Sequence, residues 1–417
     1  MLSVYFDPVG RRIRALRNGP AGALFDGFAH ALSETGYATI TARRYLRAAE
    51  HFLHWTDRHR LSVQQVNEEC LAQFGRHLGR CRCPHQGHAD RESLRQGTVA
   101  FLKYLRHSGI SSPSPLTLPV VPDPVLLSRF CQWMRLQRGT CDATLSHYRR
   151  YIRALLNHLG EEPNQWDAHG LRAFVLDQSH GRGRAAVQSC ATTLRMFVRF
   201  LIADGQCAVG LDAAIPRVAH WRLAALPRFL QPDDVERVIA SCDPASPVGR
   251  RDRAILLLLA RLGLRAGDVA HLRLRDIDWQ GAWIHVCGKS RRETRLPLSQ
   301  EVGQAIVGYL QHGRPRITID AVFVRCRAPL RALDSRGAVT AIVARALRRA
   351  GVARPSRGAA HLLRHSVATS MLRQGASLQD IGALLRHRSI ETTQIYAKVD
   401  VPALQSVAQP WPEVQSC

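Results

Sequence analysis

Lysine is almost missing from this chain. Of 58 basic residues only Lys103, Lys289 and Lys398 are lysine, and the other 55 are arginine. Acidic side chains are also few, 33 against those 58, leaving a formal net charge of +25. Such an imbalance favours a polyanionic partner, with nucleic acid first and an anionic membrane surface second. No apolar run approaches the roughly 18 residues of a membrane helix. The greasiest stretch, Ala254 to Ala260, is stopped by Arg261, so no membrane association is expected. The opening MLSVYFDPVGRRIR has no continuous apolar segment of the signal-peptide kind, and a cytoplasmic location is the expectation.

A regular, even set of cysteines is lacking too. The eleven cysteines, scattered from Cys70 to Cys417, do not make a disulfide framework and read as reduced, mostly buried thiols. One group stands apart: Cys81, Cys83, His85 and His88, with Cys70 and His77 upstream. Two thiolates and two imidazoles suit zinc, but Cys81 and Cys83 are one residue too close for the usual C-x2–4-C spacing. The segment therefore reads as a basic, polar loop, and no metal ligand is assigned.

What is present is an ordinary apolar content, 46% of 417 residues, enough for two or three domains. Residues 1 to 22 show no convincing period and are expected to form a loose arm. From Ala23 to Ile110 the pattern is helical, with Tyr45, Ala49, Phe52 and Leu53 on one face. SSPSPLTLPVVPDP, residues 111–124, is a linker by its serines and prolines. A second helical block occupies 125–212 and repeats the plan of the first. Thr144, Tyr148, Leu155 and Leu156 align with Thr41, Tyr45, Phe52 and Leu53, and Phe200, Leu201 and Gly205 with Tyr104, Leu105 and Gly109. The offsets, 103 and 96 residues, suggest a divergent duplication. Arg43, Arg44 and Arg47 line one helix, and His147, Arg149, Arg150 and Arg153 its counterpart. Phosphate neutralisation by such faces gives affinity without sequence reading. A Pro-punctuated basic linker at 213–230 then leads into a C-terminal domain, 231–417.

Chemistry concentrates between Ala360 and Tyr396, AHLLRHSVATSMLRQGASLQDIGALLRHRSIETTQIY. His361 and Arg364 are three apart and share a helix face. Ser377 with Asp380 makes a capping box that opens a second helix, and a third, capped by Ser389, is expected to carry Tyr396. Cationic donors with a phenol suit a phosphate held in place and attacked by the tyrosine oxygen. Upstream, a buried helix breaks at Gly263 and a new one starts around Arg265 to Asp268, where an arginine and free backbone N–H groups together favour a phosphate oxygen. WIHVCGKSRRETRLPLS reads as a β-hairpin with Lys289 in its turn. Gly288-Lys289-Ser290 is not a P-loop, because Trp283 stands where the first glycine of that motif belongs. A lysine among cations gives up its proton readily, whereas arginine does not.

These residues together resemble the tyrosine recombinase (phage integrase) family. The likeness lies in His-x-x-Arg, a histidine 23 residues after that arginine, a tyrosine nine residues later, an upstream Gly-Leu-Arg box, and a lysine 24 residues beyond it. It covers roughly Arg228 to Val401. One departure is Arg386, where the family usually has glycine before the second histidine. The resemblance implies a mainly α chain with a small β-sheet: two N-terminal helical DNA-binding domains, the second of core-binding type, and an α+β catalytic domain. It implies Arg265, Lys289, His361, Arg364, His387 and Tyr396 as catalytic residues. The two arginines and His387 would hold the phosphate, Tyr396 would attack it, Lys289 would protonate the leaving oxygen, and His361 would help deprotonate the phenol. His365 competes with His361 for that last role. No cofactor, ATP or divalent metal is required, because bond energy is kept in a 3′-phosphotyrosyl link. The implied partners are double-stranded DNA, a tetrameric synapse of the chain's own copies, and companion recombinases of a mobile element, with the protein nucleoid-associated when bound. A topoisomerase-like relaxing enzyme and a catalytically silent DNA-binding factor are the alternatives, and the second predicts a broken catalytic set.

Overall fold

The computed structural model describes all residues except 8–9, 82, 84–90, 112–122, 219–225, 288–292, 354, 356–357, 388, 401–403 and 407–417. Two compact units result. One comprises 1–63, 78–108 and 225–417, and the other 64–77 and 109–224. Among the described residues no helix is long and apolar enough to cross a membrane.

The N-terminal helices are α1 (Arg11–Asn18), α2 (Leu24–Glu34), α3 (Thr39–Arg58), α4 (Glu68–Leu78) and α5 (Arg91–His107). Helices α3 and α5 pack along their length, burying Phe52, Leu53, Phe101 and Leu105. Gly97 is required at their closest approach, since a Cβ there would lie 2.6 Å from that of Ala48. The expected loose arm is instead ordered. Leu2 and Leu16 are fully buried and Tyr5 and Ile13 nearly so, while the Arg43 guanidinium donates to the Tyr5 carbonyl. Two apolar positions in an eight-residue helix carry too little period to be legible; covering by α2 and α3 orders the segment.

The second unit carries α6 (Val125–Arg138), α7 (Asp142–Leu159), α8 (Ala168–Asp177) and α9 (Arg184–Ala203) around a core that includes Phe130, Leu155, Phe174 and Phe197. The order of elements matches α2 to α5, down to a short 3-10 turn after the second helix, at Val63–Gln65 and Pro163–Gln165. Helix α7 begins 103 residues after α3, and α9 ends 96 residues after α5. Part of the expected basic face is used internally. Asp123 pairs with Arg149 at 2.9 Å and Arg153 at 2.6 Å, and Arg150 lies over the Tyr151 ring.

From residue 231 the chain forms α10 (Pro232–Ala240), α11 (Pro247–Arg261), α12 (Ala266–Ala270), β1 (Ile277–Asp278), β2 (Trp283–Cys287), β3 (Glu293–Pro297), α13 (Gln300–His312), α14 (Arg336–Arg349), α15 (Ala359–Arg373) and α16 (Leu378–Leu385). The strands make one antiparallel sheet in sequence order, with Trp283 facing Pro297 and Cys287 facing Glu293 across the hairpin. Helix α11 starts on Ser246, whose hydroxyl accepts from the Gly249 N–H, with Pro247 at the first helical position. Its Ile255–Leu259 run is wholly buried against α13 and α15. It ends at Gly263, φ +56°, a left-handed conformation that favours glycine. A Cβ at Gly263 would also meet Leu385 Cδ2 at 2.7 Å, so the break lets α16 dock.

Candidate active site

Arg364 is the hub. It lies on α15, 4% exposed, and its two Nη groups donate to the carbonyls of Gly263 and Leu385. One guanidinium thus joins the break after α11 to the end of α16. Arg265, at the start of α12, donates to the carbonyls of Arg386 at 3.1 Å and Leu385 at 3.5 Å. Both cations therefore meet at the Leu385 carbonyl. Burial, then the neighbouring Arg265 and Arg386, pushes Arg364 down to about 9, still above neutrality, so its charge persists. A guanidinium has five N–H donors, and the carbonyl bonds leave donors for an anion.

Tyr396 is reached through α16 and two 3-10 turns, Ile390–Thr392 and Gln394–Val399. A helix capped by Ser389 was expected here, and the Ser389 hydroxyl does accept from the Glu391 N–H, but the turns are of the 3-10 kind. The bonds instead run three residues back, from the Thr393 N–H to Ile390 O and from the Tyr396 N–H to Thr393 O. A chain of Ile390, Thr392, Thr393 and Ile395, β-branched throughout, disfavours the α form. The tyrosine ring packs with Ala368, Ile381 and Leu385 and is 1% exposed. Burial pushes its phenol up to about 12.

The imidazole that meets this phenol is His365. Its Nδ1 lies 2.8 Å from the Tyr396 oxygen. Burial first, then His361 and Arg364, pushes His365 down to about 4, so it is neutral, and in the tautomer protonated on Nε2 its Nδ1 accepts from the phenol. His361 stands one helical turn before it, ring centroids 6.3 Å apart, and burial with Arg364 lowers its ionisation too. His387 is fixed differently. Its Nδ1 lies 2.8 Å from the hydroxyl of the fully buried Thr393, and burial with Arg364 and Arg265 pushes it down to about 4. Lys289 falls outside the described residues, between β2 and β3 in the chain. The structure thus brings Arg265, Arg364, His361, His387 and Tyr396 into one neighbourhood and adds His365 and Thr393. Thr393 carried no signal beyond its place in ETTQIY.

The low values for His365 and His387 set a pH dependence. An unfolded chain takes up protons as pH falls through 6.5, while the folded site refuses them until about 4. Stability is therefore intact above pH 6.5 and declines through that window, by on the order of 1–3 kcal/mol per imidazole. In ring-proton NMR titrations of DNA-free protein, both imidazoles should remain neutral at pH 5. Either one titrating near 6.5 would contradict the buried arrangement.

Comparison with known proteins agrees with this geometry. The phage integrase family profile matches residues 228–402. The integrase/recombinase y4rA of Sinorhizobium fredii is 35% identical over 402 residues, 94% of this chain and 95% of the relative. The chain belongs to the phage integrase family. Tyrosine recombinase XerD of Listeria monocytogenes is 29% identical over 68% of this chain and 96% of its own length. Among solved structures, the XerH site-specific recombinase bound to palindromic difH substrate covers 69% of this chain and 85% of its own, at 19% identity and a TM-score of 0.54. A lambda integrase dimer bound to a COC' core site covers 80% and 94%, at 19% identity and a TM-score of 0.52. These two share the fold, a mainly helical chain with a small sheet. Family members are site-specific DNA recombinases, and this enzyme is of that tyrosine type.

The recombinase's departure at Arg386 is accommodated in two ways. Its backbone takes the left-handed conformation, φ +53° and ψ +50°, that a glycine would adopt at the end of α16. Its side chain, 6% exposed, donates to Asp268 at 2.5 Å, and Asp268 also accepts from the Arg265 N–H at 3.1 Å. Asp268 thus holds both the Arg265 backbone and the residue before His387. Arg386→Gly relieves the left-handed strain, about 1–2 kcal/mol. It also strands a buried carboxylate, which costs about 3–5 kcal/mol. The net expectation is a loss of about 2–3 kcal/mol in urea unfolding. Adding Asp268→Asn should recover part of that loss, and strictly additive effects would show that the pair is not coupled.

Proposed function

We propose that the chain cuts and rejoins double-stranded DNA at specific sites by two successive transesterifications, and that it serves a mobile element. Arg265 and Arg364 hold the non-bridging oxygens of the scissile phosphate and stabilise charge in the pentacoordinate transition state. His387 adds a hydrogen bond to the same phosphate. The Tyr396 oxygen attacks phosphorus, a 3′-phosphotyrosyl bond forms, and the bond to the 5′ oxygen breaks. The phenol's proton passes to His365, which already accepts its hydrogen bond, with His361 behind it. Lys289 gives a proton to the leaving 5′ oxygen, a transfer of the kind worth about 10²–10⁴ in rate. Attack by the 5′ hydroxyl of another strand then restores the backbone.

The observation that carries this reading is the phenol–imidazole pair of Tyr396 and His365 beside Arg364. A nucleophile, its proton acceptor and a phosphate-binding cation are what a transesterification at phosphorus needs. The catalytic domain spans 231–417, and helical domains at 1–110 and 125–212, joined through linkers at 111–124 and 213–230, supply DNA affinity through their arginines. Four copies assemble on two DNA sites, companion recombinases of the same element join them, and the protein works in the cytoplasm on nucleoid DNA. Support for the synapse comes from the solved lambda integrase tetramer bound to a Holliday junction.

A nicked suicide substrate carrying the element's ends tests the reading. Incubation should give a protein–DNA adduct that survives denaturation, and peptide mapping should place it on Tyr396. Binding to those ends without any adduct would favour the silent-factor alternative.

A further inference from the structure

We propose that His51, Cys81 and Cys83 bind a zinc ion, clipping the segment after α4 onto α3. The three ligand atoms, from segments thirty residues apart, lie within 4.8 Å of one another. Cys81 Sγ is 3.4 Å from His51 Nε2. In a tetrahedral zinc site with Zn–S and Zn–N bonds of ordinary length, a sulfur and a nitrogen ligand are about 3.5 Å apart. That edge of the tetrahedron is already formed, and the other two close by about 1.3 Å or less.

The surroundings suit thiolates. The Cys83 N–H donates to Cys81 Sγ at 3.3 Å, and Arg58 Nη1 approaches Cys83 Sγ at 3.6 Å. Donors of this kind orient and stabilise sulfur ligands from outside the metal's own sphere. His51 is 2% exposed inside α3, and its Nε2 faces Cys81 Sγ rather than solvent. Neither cysteine is in a disulfide, and two thiolates cancel the charge of one divalent ion. Binding releases the two thiol protons to solvent, with no redox change. The tight Cys-x-Cys spacing that argued against zinc applies to a site built from one loop alone. Here a helix thirty residues upstream supplies a ligand. His85 and His88, the imidazoles that the sequence suggested, lie outside the described residues.

The test uses the full chain. Purified from zinc-supplemented medium and dialysed, it should retain about one zinc ion per chain by plasma mass spectrometry. Exchange with cobalt should give sulfur-to-cobalt charge transfer in the near ultraviolet and intense tetrahedral ligand-field bands in the visible. Cys81→Ser and Cys83→Ser should lose the metal, His51→Ala should alter the cobalt spectrum, and the His85→Ala/His88→Ala double variant should keep it. Zinc at the level of the dialysis buffer, a cobalt spectrum without the sulfur band, or a Cys81–Cys83 disulfide in alkylated peptides overturns the proposal. The wild-type cobalt spectrum decides the matter even if a cysteine variant fails to fold.

Discussion

Replacing Tyr396 with phenylalanine is expected to abolish the covalent DNA adduct while leaving the fold and DNA affinity nearly unchanged. The ring supplies the packing against Ala368, Ile381 and Leu385, and phenylalanine keeps all of it. What disappears is one oxygen and its hydrogen bond to His365, a loss of about 1 kcal/mol in stability. The chemistry has no substitute, because a phosphotyrosyl link needs that oxygen. Adduct formation on a nicked substrate should fall below detection, with binding to the same DNA within a factor of about two. A residual adduct in Tyr396→Phe would place the nucleophile elsewhere. His365→Ala makes the companion comparison, since it removes the proton acceptor but not the nucleophile. It should slow the adduct by about 10²–10⁴.

Arg364→Ala should damage rate and stability together. Each preorganised donor to transition-state charge is worth about 10²–10³ in rate, and Arg364 is placed to offer more than one. A fall of at least about 10³ in adduct formation is expected. The same change strands the Gly263 carbonyl, at about 1–3 kcal/mol, and leaves the Leu385 carbonyl only its 3.5 Å bond from Arg265, a further loss of about 1–2 kcal/mol. Urea unfolding should therefore show a loss of about 2–5 kcal/mol. Arg364→Lys separates the two roles. A point charge keeps the cation but lacks the planar fork that spans two carbonyls 122 residues apart in sequence, Gly263 and Leu385. Lysine should restore part of the rate and little of the stability. Equal recovery of both would show that charge alone matters at this position.

Much of the fold was legible because its signals are local. Helix α3 shows Tyr45, Ala49, Phe52 and Leu53 at helical spacing, and all are buried. The capping box of Ser377 and Asp380 formed as expected, since four residues contain all its partners. The hairpin strands followed from an apolar run, a basic turn and a second run. The N-terminal arm was misread, because tertiary cover orders a helix too short to declare itself. Before Tyr396 the expected helix formed on its Ser389 cap, and β-branched residues tighten it to the 3-10 kind.

The candidate site divides along the same line. Sequence alone determined which residue types are present and in what order: two arginines, the histidines, a hairpin lysine and a tyrosine, in a strongly basic chain. Spacing along the polymer could not decide which imidazole meets the phenol, because His361 and His365 lie one turn apart on the same helix. Only packing α15 against the Tyr396 turns set His365 at 2.8 Å. Likewise a left-handed Arg386 became tolerable once Asp268, 118 residues away, received its guanidinium. Contacts between distant segments depend on how whole elements dock, and that free energy is shared across a core rather than written in any short run of residues.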